Sequence, residues 1–376
     1  MRRALFWAHL VAGVVAGAII LILSLTGTLL SFERQVTAWA DRRANRTVAS
    51  SPGAARMPVE ALVAKASAAT SVPPSSILLR SGADCPVEIG FGRERTLFVD
   101  PSSGETLGEG SPAIRRLYST IEAWHRRLGA KPAGRSLGRE LTGASNLVFL
   151  FVVATGPILW WPRTWTRQAL RSSMLFQFRL RGRARDWNWH NTFGIWCSIP
   201  LFFVVLTGVV MSYPWANQLL YRLAGSEAPP PESAPQGRSP RPVRLDGLDS
   251  LFARAGELAP GWKTISARLA PGKTVSFTID EGDGGQPHRR MQLDLDRESG
   301  AVVRSVPFDA APTGRKLRIL ARFVHTGEAG GIPGQFLAAV ASAGAVVLVW
   351  TGLALAWRRF RSWRSRHGFR DRLPIP

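Results

Sequence analysis

The chain has 376 residues, of which 45% are hydrophobic, and a formal net charge of +22 from 48 Lys and Arg against 26 Asp and Glu. That charge alone suggests nucleic acid, but the basic clusters sit directly beside long apolar runs, a pattern that belongs to membrane topology and argues against DNA or RNA as a partner. The two cysteines, Cys85 and Cys197, have no metal-type spacing and no topologically reachable partner, which sets aside thiol and disulfide chemistry.

In chain order, the first predicted element is a transmembrane helix over residues 5–32, since a bilayer span needs about 20 apolar residues. The run is too long for a signal-peptide core and no A-x-A site closes it, so it is expected to be retained. Residues 33–140 read as an α+β module, with helical spacing over 57–69, strands over 76–79, 86–91 and 96–99, and a turn at 101–104. A second span covers 141–161. A basic link over 162–192 follows, carrying Arg163, Arg167, Arg171, Arg179, Arg181, Arg183 and Arg185. The third span is 193–213. The second module, 214–335, repeats the first, with a helix at 247–257, strands near 264–269, 274–279 and 291–296, and a turn at 298–300. Its stretch 226–242 is proline-rich and expected to be extended and mobile. The fourth span is 336–357, and the tail 358–376 carries seven more arginines. Positive residues in short loops stay in the cytoplasm, so both termini and the link are expected inside and the two modules outside.

The halves match each other. His9 precedes Thr26-Gly27 by 17 residues, and His190 precedes Thr207-Gly208 by 17. Leu97-Phe98-Val99-Asp100 with Ser103-Gly104 recurs as Leu293-Asp294-Leu295-Asp296 with Ser299-Gly300. A histidine follows each, His125 in WHRRLG and His325 in FVHTGEAGG, and each half closes on Thr-Gly, at Thr155-Gly156 and Thr351-Gly352. One register break stands: 30 residues from His125 to Thr155, but 26 from His325 to Thr351. Two-span copies in tandem share one orientation and are related by a pseudo-twofold axis along the membrane normal. His9 is then expected beside His190 near the cytoplasmic face, and His125 beside His325 near the outer face.

Four of the six histidines are repeat-equivalent, and ionisable groups at membrane depth are candidates for function. Paired neutral imidazoles suit bis-histidine haem, filling both axial positions and favouring electron transfer. Gly13, Gly129 and Gly194 stand four residues after His9, His125 and His190, the spacing that places them on the same helix face and leaves room for a flat macrocycle. A proton relay would want Asp or Glu within the spans, which have none, and a copper or zinc path would want Met, Cys or carboxylate along it. His288 and His367 read as surface residues. Trp124 and Trp189 adjoin candidate ligands and are candidates for packing on a porphyrin. The bases Arg126, Arg127, Lys131, Arg135, Arg139, Arg315, Lys316, Arg318 and Arg322 are candidates for propionate pairing or for steering an anionic ferric chelate.

LFVDPSSGETLG and LDLDRESGAVV resemble PepSY modules, and the ordered set of H-x3-G, LTG, WHRRLG, TGPILWWPR and VHTGEAGG resembles the PepSY-associated transmembrane helix family of iron-regulated membrane proteins, over roughly residues 3–360. The resemblance implies a four-helix transmembrane bundle in a bacterial inner membrane with two periplasmic α+β modules. It also implies two haem b, on His9 with His190 and on His125 with His325, and reduction of a ferric siderophore to release Fe(II). With no dinucleotide-binding fingerprint in the chain, the electron donor is expected to be a separate cytoplasmic reductase or quinol. A non-enzymatic anchor for a periplasmic partner and a siderophore permease are the rival expectations.

Overall fold

The computed structural model describes residues 1–45, 55–68, 70–82, 84–92, 95–162, 164–229 and 244–370, the last five by backbone alone. Most of the proline-rich stretch 226–242 lies outside the described residues. The helices are α1 Arg2–Leu30, α2 Glu33–Ala44, α3 Val59–Ala68, α4 Pro112–Arg127, α5 Arg135–Trp160, α6 Arg167–Met174, α7 Gly182–Ser212, α8 Pro214–Leu223, α9 Leu248–Leu258, α10 Thr313–His325 and α11 Gly331–Arg370. The strands are β1 Pro74–Arg80, β2 Val87–Phe91, β3 Arg95–Val99, β4 Thr106–Gly108, β5 Thr264–Arg268, β6 Thr274–Asp280, β7 Arg290–Asp296 and β8 Val302–Pro307. The chain divides into two compact units, one of residues 1–31, 120–220 and 321–376, the other of 32–119 and 221–320.

The first unit is helical. Four helices are long and apolar enough to cross a membrane, and they include α1, α5, α7 and α11. In the bundle α1 touches α5 and α11, and α7 touches the same two, so α1 and α7 lie on one diagonal. Small residues let the backbones approach, as membrane helices require: Gly17 faces Leu353, and a Cβ on Gly344 would lie 2.5 Å from Cys197 Sγ. The interior is apolar, built from Ala16, Ile20, Phe149, Val153, Leu201, Val205, Ala341 and Ala345 with the buried thiol of Cys197.

The register break has a local cause. Ten residues separate His125 from the start of α5 at Arg135, but six separate His325 from the start of α11 at Gly331. Thr155 and Thr351 each stand twenty residues beyond those starts. The extra four residues therefore lie in the connection, which runs through the left-handed Leu128 and Gly129 and a 3-10 turn at Pro132–Gly134, and the spans themselves keep register.

The second unit holds one antiparallel sheet in the order β4-β3-β2-β1-β5-β6-β7-β8. The two sequence modules are thus not separate sheets. β1 pairs antiparallel with β5, with Ile77 opposite Ala267, so four strands on each side join at the centre. Alternation puts Ile77, Leu79, Val87, Ile89, Phe91, Ile265, Phe277, Ile279, Leu293 and Leu295 into one continuous core with α3 and α9. In α3 the buried Val59, Leu62, Val63 and Ala66 follow helical spacing, and α9 repeats this with Leu248, Leu251, Phe252 and Ala255. The turns after β3 and β7 are built alike. Asp100 Oδ1 accepts from the Ser102 and Ser103 amides, Asp296 Oδ1 accepts from those of Glu298 and Ser299, and Gly104 and Gly300 take φ of 70° and 66°.

Candidate functional site: two histidine pairs

Two pairs of histidines sit in the helical unit. His125, in the last turn of α4, and His325, the last residue of α10, have ring centroids 6.1 Å apart at an interplanar angle of 58°. His9 on α1 and His190 on α7 lie on the bundle diagonal, each facing a threonine of a neighbouring span, Thr155 on α5 and Thr351 on α11. Along α1, His9 and Thr26 are 17 residues apart, which at 1.5 Å per residue separates the two sites by about 25 Å. All four rings are half-buried.

Each ring is held by its Nδ1. His9 Nδ1 is 2.8 Å from Thr155 Oγ1, His190 Nδ1 is 3.0 Å from Thr351 Oγ1, and His125 Nδ1 is 2.8 Å from Thr26 Oγ1. His325 Nδ1 lies 2.8 Å from the carbonyl oxygen of Val204. The direction of these bonds follows from the proton count. A threonine hydroxyl has one proton, and here it is committed to the helix: Thr155 donates to Phe151 O at 2.8 Å, Thr351 to Val347 O at 2.7 Å and Thr26 to Ile22 O at 2.6 Å. Each oxygen is left only to accept from Nδ1–H, and a carbonyl can do nothing else. All four imidazoles are therefore fixed as the Nδ1–H tautomer, with the Nε2 lone pair free. Among the described residues no Nε2 has a hydrogen-bond partner. A metal-binding histidine needs this preparation, its second nitrogen donating to an acceptor that sets tautomer and ring orientation.

The glycines of the Thr-Gly pairs supply the space. A Cβ on Gly27 would lie 3.4 Å from His125 Cε1, one on Gly208 3.2 Å from His325 Cε1, and one on Gly352 3.2 Å from His190 Cε1. Gly156 has nothing within 4 Å. Asn146 and Ser342 flank Gly208 and Gly27 in the same way, each nine residues ahead of its own Thr-Gly pair. In sequence the Thr-Gly pairs serve as markers of the repeat. Their contact with the histidines needs the fold, although the four repeat-equivalent copies among the Thr-Gly pairs of the apolar spans are the signal that points to them.

The glycines four residues after the histidines divide. Gly13 faces open space, and Gly194 only approaches Leu348 at 3.8 Å. Gly129 does not fit the same-face argument, because α4 ends at Arg127. Gly129 closes that helix with φ 70°, its amide donating to Ala123 O, and Trp124 packs against it, so neither makes room beside His125. His288 is exposed in the sheet unit, away from the pairs in sequence and unit, and the side chain of His367 lies outside the described residues. Of the flanking bases, Arg126 pairs with Glu122 at 2.8 Å, Arg315 donates to Gln292 and Lys316 to the Asp309 carbonyl. Two buried donors have no partner among the described residues, Arg127 Nε two residues after His125 and Trp189 Nε1 next to His190.

Metal–imidazole nitrogen bonds are about 2 Å and a ring centroid lies about 1 Å behind its nitrogen, so two imidazoles in line on one metal have centroids about 6 Å apart. The His125–His325 separation meets that requirement. Among the described residues no three His, Cys, Asp or Glu side chains converge, so each site offers two neutral nitrogen donors and no more. No curated protein matches the chain. The model of the PepSY-associated TM region matches residues 6–359, and the chain belongs to that family.

Proposed function

We propose that the protein is an inner-membrane di-haem b-type cytochrome that passes electrons from the cytoplasmic side to a ferric siderophore or similar chelate outside, reducing Fe(III) to Fe(II). The observation that carries this is the common state of the four histidines: two pairs, each ring locked through Nδ1–H, each Nε2 unpartnered. Two protein nitrogens are too few for a bare structural zinc, which takes four ligands, but complete an iron whose other four positions come from a porphyrin. The orphaned Arg127 Nε and Trp189 Nε1, one close in sequence to each pair, suit the carboxylates that such a group carries. When bound, the two haems supply one-electron transfer between the faces of the bilayer.

The chain's own part is to hold and insulate. Thr155, Thr351, Thr26 and the Val204 carbonyl orient the four rings, and a pseudo-twofold axis along the bundle makes His9 equivalent to His190 and His125 to His325. Arginine-rich segments at 162–192 and 358–376 keep that end cytoplasmic, leaving the sheet unit in the periplasm. Fe(II) is held more weakly than Fe(III) by hard oxygen donors, so reduction frees the metal. Electrons come from a separate reductase or from quinol.

The test is the visible spectrum of the purified protein. Two six-coordinate b haems per chain are expected, reoxidised by ferric chelate, with His9→Ala or His190→Ala removing one and His125→Ala or His325→Ala the other. A colourless protein from haem-replete cells would return the chain to a membrane anchor for its sheet unit. Loss of the same haem in His9→Ala and His125→Ala would overturn the pairing.

A further inference from the structure

Beyond the histidines, the helical unit carries a second built feature, at the connection between α5 and α7. Residues 164–181 fold over the start of α7 and are bolted there. Asn188, 1% exposed, accepts from the Gln177 amide and donates to the carbonyls of Ser172 and Leu175. Trp196 Nε1 donates to Met174 O at 2.8 Å, and Trp160 Nε1 to Ser173 O at 3.3 Å. Thr166 caps α6 by accepting from the Ala169 amide. Between this strap and α7 lies a cavity of about 420 Å³, lined by Ser172, Gln177, Leu180, Arg183, Ala184 and Trp187 beside Asn188, with mostly apolar walls.

The surroundings are cationic: Arg183 lines the cavity, and Arg179 and Arg181 adjoin the lining residue Leu180 in sequence. Asp186 is the one acid of residues 162–192, and it is already engaged, by Arg185 at 2.8 Å and Arg358 at 3.3 Å. Arg179, Arg181 and Arg183 have no carboxylate partner among the described residues. The same segment exposes Trp165, Leu175, Phe178 and Trp187 by about half or more of their surface. Aromatic and basic residues mixed on one exposed strap at the end of membrane-spanning helices belong at the headgroup level of a bilayer.

These features discriminate between occupants. A quinol has use for apolar walls but none for three unpaired guanidinium groups. A soluble acidic protein would meet the charge but not an apolar cavity walled by Leu180, Ala184 and Trp187. An anionic phospholipid uses both, its glycerol and upper acyl chains against the apolar wall and its phosphate on the arginines. We propose that this cavity is a specific site for one anionic phospholipid, with Arg183 as the phosphate ligand and Trp187 as the apolar wall. The inference rests on the spans and the strap and stands apart from the haem assignment.

The test uses the full chain in detergent, with native mass spectrometry counting lipids retained after washing. One phosphatidylglycerol per chain is expected, with phosphatidylcholine not retained. Arg183→Gln should weaken phosphatidylglycerol about fivefold, the effect of one arginine at a lipid surface. Trp187→Ala should weaken it too, while Arg361→Gln, on the exposed tail helix, should leave it unchanged. Equal loss in Arg183→Gln and Arg361→Gln would mean diffuse attraction and overturn the site. So would equal retention of phosphatidylcholine, or release of the lipid by millimolar inorganic phosphate, which would make the ligand a soluble anion. Binding of soluble polyglutamate in place of phosphatidylglycerol would assign the surface to an acidic protein and likewise sink the proposal.

Discussion

The sharpest test of the histidine sites lies in the threonines. Thr351 is 1% exposed, and its hydroxyl accepts from His190 Nδ1–H at 3.0 Å while donating to Val347 O at 2.7 Å. Thr351→Val keeps the shape and removes the hydroxyl that accepts from the His190 N–H, a cost of about 1–3 kcal/mol. Loss of such an outer hydrogen bond lowers metal affinity about 10–100-fold, which corresponds to about 1.4–2.8 kcal/mol. The two estimates agree. Thr155→Val should weaken the same site through His9, and Thr26→Val the other site through His125. Thr351→Ser should restore binding, because the hydroxyl remains. Thr207→Val should be silent, although Thr207 stands in the same motif, because His325 donates instead to the Val204 carbonyl. The assay is titration of apoprotein with haem, each site read alone in a background lacking the other pair. Wild-type affinity in Thr351→Val, or a loss in Thr207→Val as large as in Thr26→Val, would refute the hydrogen-bond assignment.

The glycines give a steric counterpart. Gly208→Ala and Gly352→Ala push a methyl to 3.2 Å from His325 and His190 and should disturb the spectrum of their own sites, while Gly156→Ala, with open space around it, should leave spectra and melting temperature unchanged. Asp186→Asn strips the buried carboxylate from between Arg185 and Arg358, and thermal melting should show a loss of about 1–2 kcal/mol, less than a fully buried pair because both arginines are about half exposed. In the sheet unit, burial of Asp100 would raise its pKa, but hydrogen bonds from Ser102 and Ser103 outweigh this and hold the carboxyl below its ordinary value. Its stabilising contribution is therefore complete above about pH 4 and fades as pH falls through the lowered folded value, and Ser102→Ala should raise the midpoint seen by carboxyl NMR. For topology, a membrane-impermeant maleimide on spheroplasts should label Cys85 and spare the buried Cys197. Labelling of Cys85 only after lysis would reverse the placement of the sheet unit.

What the sequence disclosed followed from how strong each periodicity is. The four spans were legible because about 20 apolar residues in a row have no other common use. Six strands were legible by alternation, as in Val87–Phe91, where inward and outward residues take strict turns. The edge strands were not: β4 has three residues, and β8 is exposed along most of its length, so neither carries a pattern. The joining of the two modules through β1 and β5 was also hidden, since backbone pairing across some 190 residues leaves no mark on either strand alone. The histidine pairs were readable only as a repeat. Their threonine partners were visible as residues but not as partners, because a hydrogen bond from α1 to α5 or from α7 to α11 is a fact of packing. Gly129 misled for the opposite reason, a four-residue spacing copied past the end of the helix that gives such spacing its meaning.

The layer between the two pairs decides what can travel along this bundle. From residue 10 to 25, 141 to 156, 191 to 206 and 340 to 352 the four helices carry no Asp, Glu, Lys, Arg, His or Tyr, and the interior there is Ala, Ile, Leu, Val and Phe149 around one buried thiol. Asn146 donates to the Val205 carbonyl at 3.2 Å and Ser198 to the Ile195 carbonyl at 2.8 Å, and the buried hydroxyls left in those stretches, on Ser24, Ser145, Thr192 and Ser342 beside the two threonines that hold His9 and His190, are too few to string a water chain over about 25 Å. An apolar layer of this kind blocks protons while permitting an electron to pass between centres set on either side. On the proposed reading, charge therefore moves without a compensating proton. In a cell negative inside, each electron moved outward gains about 2.3 kcal/mol per 100 mV of membrane potential. The dryness of the bundle is thus part of the mechanism, since the same potential would drive protons inward through any polar path and dissipate that gain.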